Sequence, residues 1–173
     1  MQLKNWTAAI AGRTVLCVLA GSMIVPMAWA DSAKDAEQAE KEFARGNLIV
    51  AMALWRKAAG QGNAQAQARL GDILDKAEED TEAVAWYRKA SEQGNADGDY
   101  GLGQMYAKGE GVKRDLEQAR AYVQRAADKG HVNAVMQMRE SYRLGGLGLP
   151  VDPEQSAAWD KKLKSLQTAN NSK

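Results

Sequence analysis

Cysteine is almost missing from this chain of 173 residues, and the one present, Cys17, lies near the N-terminus. That scarcity excludes a disulfide framework, a thiol nucleophile and a thiolate metal site downstream of it. Histidine is equally scarce. His131 stands alone, and one histidine without cysteine does not make a typical zinc site. As a general base it would need a nucleophile, yet no serine stands in a nucleophile-elbow pattern. Phe43 is the only phenylalanine, so any core has to come from small side chains in close helix contact. Proline is absent from Ala36 to Leu149, and no stretch there alternates apolar and polar residues as a half-buried strand does. The chain therefore reads as all-α.

An excess of either charge is also missing. Lys4 and Arg13 lead into an apolar run from Thr14 to Val25, followed by Pro26 and the small-residue site Ala28-Trp29-Ala30. This pattern predicts a secretion signal over residues 1–30, cleaved before Asp31. A retained signal anchor is the competing reading, because the apolar run approaches the roughly 17 residues that a short membrane span needs. Lipidation at Cys17 is not expected, since Thr14, Val15 and Leu16 lack the small residue that should precede the cysteine. Cleavage would leave 143 residues carrying 21 basic and 22 acidic side chains, a net charge of minus one. Neither nucleic acid nor an anionic membrane surface is implied by that balance. The length suffices for one domain with a real core.

What the chain does have is repetition. Ala58 with Gly62, Ala90 with Gly94, and Ala126 with Gly130 recur at spacings of 32 and 36 residues. Periods of this size mean stacked supersecondary units, none of which buries its apolar face alone. Ala51, Ala83, Ala119 and Ser156 form a second column, and Leu54, Trp86, Tyr122 and Trp159 an aromatic-rich third. That third column predicts Trp86 and Trp159 in the core, with Trp55 beside it and partly exposed. The recurring glycines suit left-handed positions after helices. Asn63, Asn95 and His131 follow them as helix caps, which accounts for the lone histidine without chemistry. Asn47, Asp115 and Asp152 are expected to cap the other helices, and Pro153 fits a first helical turn. The organisation expected is a mobile polar leader at residues 31–35, about four helix pairs over residues 36–169, and a disordered tail at 170–173.

Two irregularities stand out. The unit containing Lys76 to Asp80 is four residues shorter because the glycine loop Gly109-Glu110-Gly111 has no counterpart there. The last loop, Gly145 to Pro150, is swollen and carries Leu147 and Leu149, expected to tuck under the terminal helix. Gly101-x-Gly103 and Gly109-x-Gly111 lack the strand and the Gly-Lys-Ser/Thr of a phosphate loop. The acidic run Glu78-Glu79-Asp80 lacks the alternating ligands of a calcium loop.

The run Leu102-Gly103-x-x-Tyr106-x-x-Gly109-x-Gly111-Val112-x-x-Asp115-x-x-x-Ala119-x-x-Tyr122-x-x-x-Ala126-Ala127-x-x-Gly130 resembles the Sel1-like repeat, a relative of the tetratricopeptide repeat. Leu70-Gly71 to Gly94 is similar without the glycine loop, and Gly145 to Trp159 is similar more loosely. Met138 and Arg139 depart from the family's leucine and glycine, which marks a capping unit. The resemblance implies a right-handed α-solenoid of antiparallel helix pairs, with first helices lining the concave side. It implies a protein-binding module rather than an enzyme, with no cofactor, no metal and another protein as partner. For an exported chain that means a periplasmic adaptor or scaffold for an envelope component. An immunity protein that neutralises a periplasm-acting toxin such as a secreted phospholipase is the alternative, and a hydrolase the remote third. The β-lactam chemistry of a cysteine-rich branch is not carried over, because those cysteines are missing.

First-helix positions that the repeat columns do not use are the candidate partner-binding residues. By register these are Gln65, Ala68 and Asp72, then Asp97, Tyr100 and Gln104, then Asn133, Met136 and Glu140. Amides and acids around one tyrosine and one methionine suit hydrogen bonding to a peptide or loop about a modest apolar anchor, although a solvated helix face has the same make-up. Tyr100 is the leading candidate, since Ala68 and Met136 occupy its position in the neighbouring units and no structural column requires an aromatic there.

Overall fold

A computed structural model describes residues 27–171, with side chains placed from Asp31 to Ala169. The apolar run at residues 14–25 lies outside the described residues, as do residues 172–173. Eight helices make up the described chain: α1 (Met27–Ala44), α2 (Leu48–Gly60), α3 (Ala64–Lys76), α4 (Asp80–Glu92), α5 (Ala96–Lys108), α6 (Leu116–Asp128), α7 (Val132–Leu144) and α8 (Pro153–Asn171). Among the described residues there is no strand. Consecutive helices pack as antiparallel pairs that stack into an α-solenoid.

The recurring sequence columns are the devices that stop and start helices. Gly62, Gly94 and Gly130 all take positive φ, at 91°, 81° and 84°. Each sits where a helix C-terminus turns back on itself, with the next N–H donating to the column alanine: Asn63 to Ala58, Asn95 to Ala90 and His131 to Ala126, all at 3.0 Å. Free carbonyls at the helix end are thereby satisfied. The residue that makes this bond then caps the following helix. Asn63 accepts from the Ala66 N–H, Asn95 from the Gly98 N–H and His131 Nδ1 from the Ala134 N–H. Asp115 and Asp152 cap α6 and α8 as expected, each accepting two backbone N–H groups. Asn47 does not: its side chain makes no cap bond and donates instead to Glu42, at 2.7 Å. The short unit has its own solution. Glu78 takes φ of 61° where the other units have glycine, and Glu79 N–H closes the turn onto Leu74.

Small residues fill the interior. Ala51, Ala58, Ala66, Ala83, Ala90, Ala119, Ala126 and Ala134 are completely buried, which lets helix backbones approach closely. The aromatic column is not the centre of this core. Leu54, Trp86, Tyr122 and Trp159 are half-buried on its flank. One residue further on, Trp55, Tyr87 and Val123 are buried, with Trp55 only 2% exposed. Both expectations for the tryptophans are thus corrected, because the core stripe runs at spacings of four and three from the column alanines, through Ala51, Trp55, Ala58 and Ala59.

The N-terminal leader also differs from expectation. Residues 31–35 continue α1 as helix; Ser32 is buried and Asp35 pairs with Lys57 of α2 at 2.8 Å. The expected cleavage point before Asp31 falls within the first turns of this helix. At the other end α8 is helical through Asn171, so the first half of the expected tail is part of a helix. In the swollen last loop, Leu147 and Leu149 pack against the core formed by α6, α7 and α8.

Candidate functional site

Successive first helices are tied to each other on one side of the stack. Arg69 Nε of α3 donates to Glu40 of α1 at 2.8 Å, and Gln65 Nε2 of α3 donates to Asp97 of α5 at 3.0 Å. Gln104 Nε2 of α5 donates to Gln137 of α7 at 2.5 Å. The side they share carries most of the residues expected to meet a partner.

The capping role of His131 organises its C-terminal half. With Nδ1 accepting the Ala134 N–H, the ring proton of neutral His131 belongs on Nε2, which lies 3.3 Å from Asp97 Oδ1. The hydrogen bond from His131 is the main reason the Asp97 carboxyl sits below its ordinary range, assisted by Gln65 and opposed by burial. The histidine ring is thus held at both nitrogens. Tyr100 stacks on it, centroids 4.5 Å apart and planes 26° off parallel. Burial raises the Tyr100 phenol above its usual value, so at neutral pH the hydroxyl remains a donor. It has no hydrogen-bond partner among the described residues.

Next to this shelf an open groove is lined by Tyr100, Gln104, Asn133, Met136, Gln137, Arg139 and Glu140. Met136 is 41% exposed on its wall, and Glu140 is bound by Arg143, which holds its carboxyl low. Five of the nine candidates therefore share one groove. Gln65 and Asp97 lie alongside it, already engaged with each other and with Asn95 and His131. Ala68 is fully buried and faces no groove. Asp72 is separated from the rest, lining a different cavity between α1, α2 and α3. The Tyr87 hydroxyl donates to it at 3.0 Å, and burial raises the Asp72 carboxyl in spite of that bond.

Three structural residues escaped sequence reasoning. Tyr87 is one, filling a slot between Gly71 of α3 and Gly101 of α5. Asp99 is another: completely buried, it accepts from Ser91 Oγ (2.6 Å), Arg125 Nη2 (2.7 Å) and Lys129 Nζ (2.6 Å), joining α4, α5 and α6. Trp55 is the third. The arrangement offers an open groove beside a stacked pair of rings as a surface for binding.

The repeat model of the Sel1 family matches residues 44–63, 64–95, 96–131 and 141–162, more than half of the chain. The chain belongs to the Sel1 repeat family. The interruption at residues 132–140 falls where Met138 and Arg139 replace the family's leucine and glycine. Among solved structures, a Sel1 repeat protein from Oxalobacter formigenes is 25% identical, with a TM-score of 0.69 over 78% of this chain and 58% of its own. A protective antigen present in uropathogenic Escherichia coli strains, with the same repeat fold, is 34% identical with a TM-score of 0.68, over 80% of this chain and 32% of its own. A Sel1 repeat protein from Klebsiella pneumoniae subsp. pneumoniae, at 23% identity and a TM-score of 0.65, shares the fold over 82% of this chain and 72% of its own. This chain thus spans less than two thirds of the first two relatives. No curated protein matches it. Sel1 repeats generally mediate protein–protein interaction, and their fold is typically a non-catalytic scaffold. No helix among the described residues is long and apolar enough to cross a membrane.

Proposed function

We propose that this Sel1 repeat protein is an exported adaptor that holds a segment of a cell-envelope protein against its first-helix side. The observation that carries the reading is the Tyr100 shelf: an aromatic ring stacked on a doubly held histidine, beside exposed Met136, Gln104 and Asn133. An apolar anchor among amide and carboxylate groups is the composition that receives a peptide side chain and its backbone. The prearranged rings reduce the ordering cost of binding. Export rests on the basic residues, apolar run and Ala28-Trp29-Ala30 site of the N-terminus.

The test compares the parent protein with Tyr100→Ala by affinity capture from envelope extract, with thermal unfolding measured on both. Truncation is expected to weaken binding of the captured protein by about 1 to 3 kcal/mol, roughly 5- to 150-fold in Kd, at nearly unchanged stability. Melting of the variant well below the parent would make Tyr100 a structural residue and remove the reading.

A further inference from the structure

The helix start beside the groove is capped differently from the others. Asn63 and Asn95 cap α3 and α5 through amide oxygens, and Asp115 and Asp152 cap α6 and α8 through carboxylates. For α7 the acceptor is His131 Nδ1, 3.1 Å from the Ala134 nitrogen. Of these side-chain types only histidine ordinarily changes charge between about pH 5 and 8, and only its neutral ring has an acceptor. The His131 side chain is 15% exposed, so solvent protons reach it. A proton on Nδ1 would set N–H against N–H and break the cap. It would also leave a positive ring at the N-terminus of α7, where the helix dipole disfavours a cation.

We propose that His131 is a proton-operated catch on the Tyr100 groove: the neutral ring caps α7 and backs Tyr100, and its protonation uncaps α7 and releases the held segment in acid. The groups around the ring fit that role. On α5, Asp97 lies 3.3 Å from Nε2 and Tyr100 stacks on the ring face. From α6, Lys129 is turned to the Gly94 carbonyl and to Asp99, while Asp128 is paired with Lys162 of α8. From α3, Gln65 and Arg69 are bonded to Asp97 and to Glu40. Nε2 can donate to Asp97 in either charge state, so the carboxylate keeps hold of the ring after the cap is gone. The ring is then free to pivot about that bond, away from α7 and out of its stack with Tyr100. The uncapped first turn of α7 carries Asn133, with Met136 following in the next, and both line the groove. The inference rests on the reading that this groove holds a protein segment, and it adds regulation to that reading.

NMR of the full protein between about pH 8 and 5 tests the catch. His131 is the only histidine, so its ring protons report its titration without assignment by a variant. Across that midpoint the nuclear Overhauser contacts between the Tyr100 and His131 rings should disappear. The Asn133 and Ala134 amide resonances and the Met136 methyl should shift with the same midpoint. The Ala66 and Gly98 amides, capped by asparagine, should stay in place. His131→Asn, which puts the residue of the neighbouring units at this cap, should abolish the shifts at 133, 134 and 136. Ring contacts that survive the titration, or the same shifts in His131→Asn, would overturn the proposal. In envelope capture, binding by the parent should weaken about fivefold below the midpoint, the equivalent of one helix cap; undiminished capture there would overturn it too. Capture that fails at every pH, with the NMR response present, would uphold the ring movement and count against the adaptor reading instead.

Discussion

Replacing Gly101 by alanine should destabilise the protein, although alanine is the better helix former. A Cβ at Gly101 would lie 2.3 Å from Tyr87 Cε1 and 2.5 Å from Cδ1, against an ordinary carbon contact of about 3.5 to 4.0 Å. The ring would have to retreat by more than an ångström, and it has nowhere to go. On its other side a Cβ at Gly71 would already meet it at 2.6 Å, and its hydroxyl is bonded to Asp72 at 3.0 Å. Overpacking of this kind costs about 1 to 3 kcal/mol, and a ring pinned on two sides belongs at the upper end. Helix propensity returns about 1 kcal/mol. The net loss is about 2 kcal/mol, rising to about 4 if the displaced ring releases Asp72. Urea unfolding followed by far-UV circular dichroism reads this directly. The decisive control is the same substitution in a Tyr87→Ala background, where the slot is empty and the change should stabilise by about 1 kcal/mol. A cost of the same sign and size in both backgrounds would refute the slot.

Other sites give independent predictions. Glu78→Gly should raise stability by about 0.5 to 1 kcal/mol in the same assay, since the position has a φ of 61° that disfavours a side chain; a loss would show that the Glu78 side chain supports the turn. Asp99→Asn should cost about 2 to 3 kcal/mol. That is less than a fully buried pair, because Arg125 and Lys129 are 49% and 35% exposed and can turn to water; a neutral result would remove the carboxylate as the tie between α5 and α6. The pH dependence of Asp97 has a definite sign. Its folded carboxyl titrates below the ordinary value of 3.8, so its contribution is present above that pH and is lost as pH falls through the lowered value. The stability difference between the parent and Asp97→Asn should therefore shrink on acidification below about pH 4, and a difference that persists at the lowest accessible pH would contradict the pairing.

The repeat architecture was legible because its marks are local and chemical. Glycine at a left-handed position and asparagine or aspartate at a cap announce themselves by residue type, which is why Gly62, Asn63, Asp115 and Asp152 were placed correctly. The core was harder to read because burial follows helical phase. Trp86 and Trp159 drew attention as aromatics, but the buried row lies one residue on, at Trp55, Tyr87 and Val123. The signal was available: each stands four after one column alanine and three before another. Asp99 was hidden for a different reason. Its counterparts at the same repeat position are Gln67 and Val135, both also buried, so the column shares an environment without sharing a chemistry. The Tyr100 groove was found by subtraction, as positions the stack does not use, but the His131 shelf beneath Tyr100 depends on a ring stack across repeats that no spacing rule predicts. Asn47 has the right residue type and position for a cap, and Glu42 engages its side chain first.

Site-specific photocrosslinking in cells tests the central claim most directly. A photoreactive residue at Asn133, exposed beside Tyr100 and Met136 on the first-helix side, is compared with one at Ala121, exposed on α6. Binding through the groove predicts a discrete adduct with one envelope protein from position 133, lost when Tyr100→Ala is added, and none from position 121. Equal adducts from both positions, or an adduct at 133 that survives Tyr100→Ala unchanged, would contradict binding through this groove.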